Sequence, residues 1–222
     1  MTPTKNFVIN LSKGAGNILR EGYGKKHQID YKGPIDLVTE IDKQSEDYIV
    51  KKIRERFPSH SIIAEESGTH EGSKGNRWFI DPVDGTSNYA HGLPMFAVSI
   101  AYEENDEMRF GCIYEPLRDE CFFAEKGAGA ILNEKPIHVT STSSLIKSML
   151  VTGFPYDIQK KNDNIEHFSN ILREVHSIRR LGSAALDLAY VAAGRLDAYW
   201  EIEIYPWDIA AGTLLVEEAG GN

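Results

Sequence analysis

Apolar positions along this chain recur at two spacings, and the switches between them mark out its elements. In residues 7–20 the apolar side chains Val8, Leu11, Ala15, Ile18 and Leu19 fall at helical spacing, which predicts an amphipathic helix ended by Gly22 and Gly24. Residues 25–34 are polar and without period, and predict a loop or loose hairpin. A second helix is predicted over 39–56, with Ile41, Ser45, Tyr48, Ile49, Ile53 and Phe57 inward and Pro58 as its stop. Asp42 lies in its first turn, where the helix dipole favours a carboxylate. Residues 61–64 form a short apolar strand that ends at Glu65 and Glu66, and the Gly/Ser/Lys-rich residues 68–76 read as a flexible connection.

The apolar run Trp78-Phe79-Ile80 predicts a buried strand stopping at Asp81. Antiparallel strands are then predicted over 96–102, 108–114 and 120–124, with a short hairpin punctuated by Gly127, Gly129 and Asn133. From Ser143 onward the rhythm alternates. Strands are predicted at 149–153, 177–179 and 197–200, and helices at 164–175, 182–193 and 208–219. Strands alternating with helices imply a second α/β layer set. The division falls near residue 140, giving an α+β unit over 1–140 and an α/β unit over 141–222.

With 222 residues, 41% of them hydrophobic and 26% charged, the chain suits an ordinary globular α/β protein with a sizeable core. No apolar run approaches membrane-spanning length and the start lacks an apolar secretory core, so a cytoplasmic protein with no membrane partner is expected. The 24 Lys+Arg against 33 Asp+Glu leave a net charge of −9, which argues against direct nucleic-acid binding. Cys112 and Cys121 flank a predicted turn and are expected as free thiols. His70 and His91 read as loop surface, and Trp78, Trp200 and Trp207 as packing.

The chemistry gathers at Asp81-Pro82-Val83-Asp84-Gly85-Thr86-Ser87-Asn88. An apolar strand delivers a carboxylate, a proline stiffens the turn to a second carboxylate, and Gly85-Thr86 opens a helix whose free N–H groups favour phosphate. If the strand ending at Glu65 neighbours the one ending at Asp81, then Glu65, Asp81 and Asp84 meet at one sheet edge, with Asp208 joining them from the last helix. Four such acids repel one another unless divalent cations intervene. The arrangement suits two ions roughly 3.5–4 Å apart. Thr86, its hydroxyl held by Asp42, is the expected orienter of an attacking water, and Glu65 the acceptor of its proton.

Together with Asp36-Leu37-Val38-Thr39, Ala64-Glu65-Glu66-Ser67, Gly182-Ser183-Ala184-Ala185, Trp207-Asp208-Ile209-Ala210-Ala211-Gly212 and Glu218-Ala219-Gly220-Gly221, this octet resembles the inositol monophosphatase family. That family belongs to a wider Mg²⁺-dependent, Li⁺-sensitive phosphatase superfamily. The resemblance implies a layered αβαβ(α) sandwich of the inositol monophosphatase and fructose-1,6-bisphosphatase type, in a homodimer. It implies one Mg²⁺ on Glu65, Asp81 and the Val83 carbonyl, a second on Asp81, Asp84 and Asp208, and a third, weaker ion on Glu65 and water. Gly85 and Thr86 would hold phosphate, while Asp84, Gly182, Ser183, Ala184, Glu201 and Asp208 would line a polyol pocket. Two departures are visible: Tyr31 followed by Lys32 stands where a family lysine is usual, and family members continue for several elements beyond Gly220-Gly221. The expected function is hydrolysis of inositol monophosphate. Fructose-1,6-bisphosphate, NADP and adenosine 3′,5′-bisphosphate are the rival substrates, and a regulatory protein partner with a retained metal site is the reading from another class.

Overall fold

A computed structural model describes residues 2–25, 29–31, 37–155 and 164–222 of the protein. The chain begins with α1 (Lys5–Gly22), then β1 (Ile29–Tyr31), β2 (Leu37–Thr39) and α2 (Glu40–Arg56). Thr4 caps α1 by accepting a hydrogen bond from the Phe7 N–H, and Thr39 with Asp42 forms a capping box on α2. Next come β3 (His60–Ala64), β4 (Gly68–His70), β5 (Ser73–Asp84), α3 (Thr86–Ala90), β6 (Ala97–Glu104), β7 (Glu107–Glu115), β8 (Glu120–Glu125), β9 (Gly129–Leu132) and β10 (Lys135–Pro136). The last part holds β11 (Met149–Thr152), α4 (Asn164–Ile171), β12 (Ser177–Arg179), α5 (Ala184–Ala192), β13 (Ala198–Trp200) and α6 (Pro206–Glu218).

Eight strands form one sheet in the order β10-β9-β8-β7-β6-β5-β3-β4. Its central strands are apolar on both faces because both faces are covered. On β5, Trp78 and Ile80 face α1 and α2, packing with Val8, Leu19, Ile49 and Ile53, while Phe79 faces α5 and α6 among Ala185, Leu186, Leu214 and Leu215. Beyond α5 lies a parallel sheet in the order β12-β11-β13, joined to it through Val151, Val191 and Leu196. The layers thus run helix, sheet, helix, sheet, as expected. The stretch between β10 and β11 contains residue 140. No helix among the described residues is long and apolar enough to cross a membrane.

Two local expectations are corrected. Residues 68–76 do not form a flexible connection. Gly68–His70 is a strand whose residues pair antiparallel with β3, His70 opposite Ile62, and residue 73 already belongs to β5. Gly72 makes this return possible, since a Cβ there would stand 2.5 Å from the His60 carbonyl carbon. The helix predicted to Val175 stops at Ile171. The backbone then turns tightly, with Glu174 N–H donating to Ile171 O and His176 N–H to Ser148 O, which draws it into β12. Cys112 and Cys121 are buried free thiols, their sulfurs 3.8 Å apart on neighbouring strands.

The helix layer of α6 lies unusually close to the sheet at Gly111 on β7, where a Cβ would meet the Ala211 carbonyl oxygen at 2.6 Å and its Cα at 3.0 Å. Both partners are backbone, so neither yields by a rotamer change. Gly111→Ala should therefore destabilise the fold by about 2 kcal/mol or more, read as a lowered midpoint in urea unfolding with unchanged slope.

Candidate active site

The site begins with strand direction. β3 and β5 run parallel, with Ala64 opposite Ile80, while every other pairing among the described residues of this sheet is antiparallel. A parallel pair ends at one edge, so Glu65 and Asp81 leave their strands side by side, and the Glu65 N–H still donates to Ile80 O at 3.1 Å. Past Asp81 the ladder to β6 is irregular: Asp81 faces Ser99 and Asp84 faces Ala97, so β5 carries one residue more than its partner. The bulge holds Pro82, whose carbonyl accepts from Ser45 Oγ at 3.0 Å, and Val83, whose N–H donates to Asp81 Oδ1 at 3.0 Å. Gly85 follows at φ +95, and a Cβ there would lie 2.8 Å from Met95 O, so the turn into the five-residue α3 requires glycine.

Thr86 places its hydroxyl 2.8 Å from Asp42 Oδ1 and 2.9 Å from Val83 O. The other oxygen of Asp42 accepts from the Thr39 N–H at 2.9 Å and the Thr39 hydroxyl at 2.5 Å, which fixes the carboxylate. Burial pushes the Asp42 carboxyl upward, and the Thr39 and Thr86 hydrogen bonds oppose it. Asp84 is held from the far side of the sheet: Ser183 Oγ and the Ala185 N–H donate to its Oδ2 at 2.6 and 2.5 Å. Ser183 also caps α5 by accepting from Leu186 N–H at 3.3 Å. Gly182 adopts φ +80.

Asp81 is pushed well above the usual carboxylate range by burial, then by Glu65, Asp84 and Asp208. Asp84 is raised to about 7, chiefly by burial, with Glu65 and Glu201 adding and the Ser183 and Ala185 bonds opposing. Asp208 rises to about 8, again by burial first and Asp84 next. Glu201 is raised by burial and opposed by Tyr199, whose hydroxyl donates to it at 2.9 Å, and by Arg180. Its carboxylate lies over Gly153, where a Cβ would come within 2.1 Å of Oε1. The sequence-predicted acids Glu65, Asp81, Asp84 and Asp208 thus share one electrostatic environment.

They do not form a ready-made ligand cage. Among the described residues no three His, Cys, Asp or Glu side chains are drawn around one point closely enough to hold a metal. Asp84 is turned onto Ser183 and Ala185, and Asp208 accepts from the Tyr205 N–H at 3.0 Å, while the Val83 carbonyl takes the Thr86 contact. The donor chemistry nevertheless fits Mg²⁺. All candidate donors are hard oxygens, and the charges acting most on Asp81 are of like sign, a conflict that a divalent cation removes.

Sequence reasoning missed several supports. Glu46, buried on α2, accepts the Glu66 and Ser67 N–H groups at 2.8 and 2.7 Å and so fixes the turn that carries Glu65. Its signal was a charged residue one helical turn from Asp42 on the inward face. Asn88 bonds to the backbone at Met95 and Leu181, and no pattern in the sequence announces such long-range contacts. Asp187 on α5 is 1% exposed and its Oδ1 has no hydrogen-bond partner among the described residues; burial, Asp84 and Glu201 raise it to about 9. Lys32, Asp36 and the side chain of Tyr31 lie outside the described residues.

The model of the inositol monophosphatase family matches residues 1–222. Nus factor SuhB of Pasteurella multocida is 43% identical over 225 residues, covering 100% of this chain and 84% of that protein. Inositol-1-monophosphatase of Synechocystis is 49% identical over 203 residues, covering 90% and 70%. Among solved structures, the extragenic suppressor protein suhB of Bartonella henselae superposes with a TM-score of 0.93 at 40% identity, covering 97% of this chain and 84% of that one. The inositol monophosphatase of Anabaena gives 0.87 at 44% identity, covering 98% and 81%. A match over its whole length, carried on the layered fold and the acidic sheet edge, places this chain in the inositol monophosphatase family.

Proposed function

We propose that this chain is a Mg²⁺-dependent phosphomonoesterase acting on a small phosphorylated polyol, with inositol monophosphate as the first candidate. The observation that carries this reading is the convergence of Glu65 and Asp81 at the ends of the parallel β3–β5 pair, with Asp84 beyond the bulge and Asp208 within their electrostatic reach. Membership of the family and the names of several relatives support it.

Glu65, Asp81, the Val83 carbonyl, Asp84 and Asp208 would hold two to three Mg²⁺ ions. Bound there, the metal supplies charge that neutralises phosphate oxygens and makes a water acidic enough to attack. The chain supplies the rest. Asp42 engages the Thr86 hydrogen, which leaves lone pairs of the Thr86 oxygen to accept from and aim a water, and Glu65 takes the proton. Gly85 and Thr86 hold the phosphate, while Gly182, Ser183 and Ala184 form the wall of the polyol pocket. Glu201, fixed by Tyr199, accepts hydrogen bonds from neighbouring hydroxyls. The aimed water would form its P–O bond as the P–O bond to the polyol breaks, a direct displacement with no covalent enzyme intermediate, and the leaving polyol oxygen would take a proton from solvent as Glu65 takes the one from the water.

A second reading is favoured by the relatives named Nus factor SuhB: a regulatory protein that binds a protein partner and retains the metal site. A variant lacking the metal ligands but keeping the cellular phenotype would select it.

Asp84→Asn should abolish Mg²⁺-dependent phosphate release while preserving the circular dichroism spectrum; full turnover in that variant would overturn the assignment. Each Mg²⁺ site filled at about one hundred times its Kd should add about 2.7 kcal/mol of stability, seen as an upward shift in thermal unfolding that EDTA reverses. Glu46→Ala, which frees the Glu65 turn without touching a proposed ligand, should weaken apparent Mg²⁺ affinity by roughly 10-fold or more in a calorimetric titration. Release of phosphate from inositol monophosphate against the three rival substrates, with and without Li⁺, decides the substrate.

A further inference from the structure

Two clamps join the acidic turn to the start of α5, and they have opposite polarity. At the first, Asp84 accepts from Ser183 Oγ and the Ala185 N–H. At the second, four residues on, the Asn88 side-chain nitrogen stands 2.8 Å from Met95 O, 2.8 Å from Leu181 O and 3.3 Å from Gly182 O. These carbonyls belong to segments 7 and 93–94 residues away, so one amide ties three stretches of chain together. Three carbonyl oxygens around one atom also settle which end of the amide is nitrogen. Gly182 packs directly on this amide: a Cβ there would lie 3.0 Å from Nδ2.

We infer that Asn88 is a positioning residue: its amide holds the Leu181–Gly182 backbone, and through it the α5 entry that orients Asp84 and lines the polyol pocket. This rests on the phosphatase reading above. The physical reason is the order of the contacts. Ser183 and Ala185 can aim their donors at Asp84 only if the residues before them are fixed, and the carbonyls of Leu181 and Gly182 are fixed by Asn88. Removing the amide leaves these carbonyls without that donor and frees the entry of α5 to move away from the turn. Asn88 is not one of the proposed metal ligands or phosphate-holding residues, and its side-chain nitrogen is taken up by backbone carbonyls, so its effect falls on how well the pocket is assembled.

The test uses the full chain saturated with Mg²⁺ and three variants, Asn88→Ser, Asn88→Ala and Asn88→Asp. Steady-state kinetics on inositol monophosphate are paired with amide hydrogen exchange at Ala185 and Leu186, whose N–H groups bond to Asp84 and Ser183. The expected result is a KM raised roughly 10-fold or more in Asn88→Ala, with kcat falling less, and faster exchange at both amides. Asn88→Ser should lie between this and the wild type. Asn88→Asp, equal in shape but facing three carbonyl oxygens with an acceptor, should be worse than Ala in both readouts. If Asp behaves like the wild type while Ala is impaired, the residue only fills space and the inference fails. It fails equally if exchange at Ala185 and Leu186 is unchanged in all three. Should the Asp variant not fold, the Ser and Ala variants decide by the same criteria. A wild type that releases no phosphate from any ester sinks the phosphatase reading, whereas hydrogen exchange, which needs no turnover, still decides the clamp.

Discussion

Like charges gathered out of water are the constraint on which this molecule depends. Asp81 is almost wholly buried, and the groups acting on it most strongly are Glu65, Asp84 and Asp208. Left alone, such groups move apart or take up protons. The fold prevents the first by attaching each acid to a rigid element and giving most of them a backbone or hydroxyl donor. Asp42 is locked by Thr39, Asp84 by Ser183 and Ala185, Asp208 by its own helix start. The second outcome shows in the raised carboxyls. Repulsion that the chain has not relieved is therefore available to attract a divalent cation, and Glu201 and Asp187 extend the acidic field from Asp84 toward α5.

One parallel pairing in an otherwise antiparallel sheet makes this gathering possible. Had β3 met β5 head to tail, Glu65 and Asp81 would have left at opposite ends of the sheet, about 15 Å apart over a five-residue strand. The connection through β4 returns the chain to the start of β5 so that both strands finish together. The bulge at Pro82-Val83 then turns Asp84 toward α5. Topology thus sets the meeting of the first two acids, and a local irregularity brings in the third.

Much of this was legible in the sequence, because local pattern and local chemistry agreed. The stripe from Val8 to Leu19, the run before Asp81 and the alternation after Ser143 all predict elements that the structure contains. The meeting of Glu65 with Asp81 was legible as a condition, namely that their strands be neighbours, and the Asp42–Thr86 hydrogen bond followed from the same chemistry. What escaped were contacts made through the backbone at long range. β4 owes its extended form to pairing with β3 rather than to its own composition, which is that of a turn. Glu46 and Asn88 act on N–H and carbonyl groups of distant segments, and such partners have no residue type to recognise.

Helix α6 is tied down along its whole length. Asp208 caps its first turn, the backbone near Ala211 rests on Gly111, and Glu218 at its last turn receives the N–H groups of Gly127 and Gly129, each at 2.9 Å. A rod pinned at three points does not slide. Drawing Asp208 inward toward Asp81 would thus fall to rotation about its side-chain bonds, while Asp84 stays held between its bulge and the start of α5.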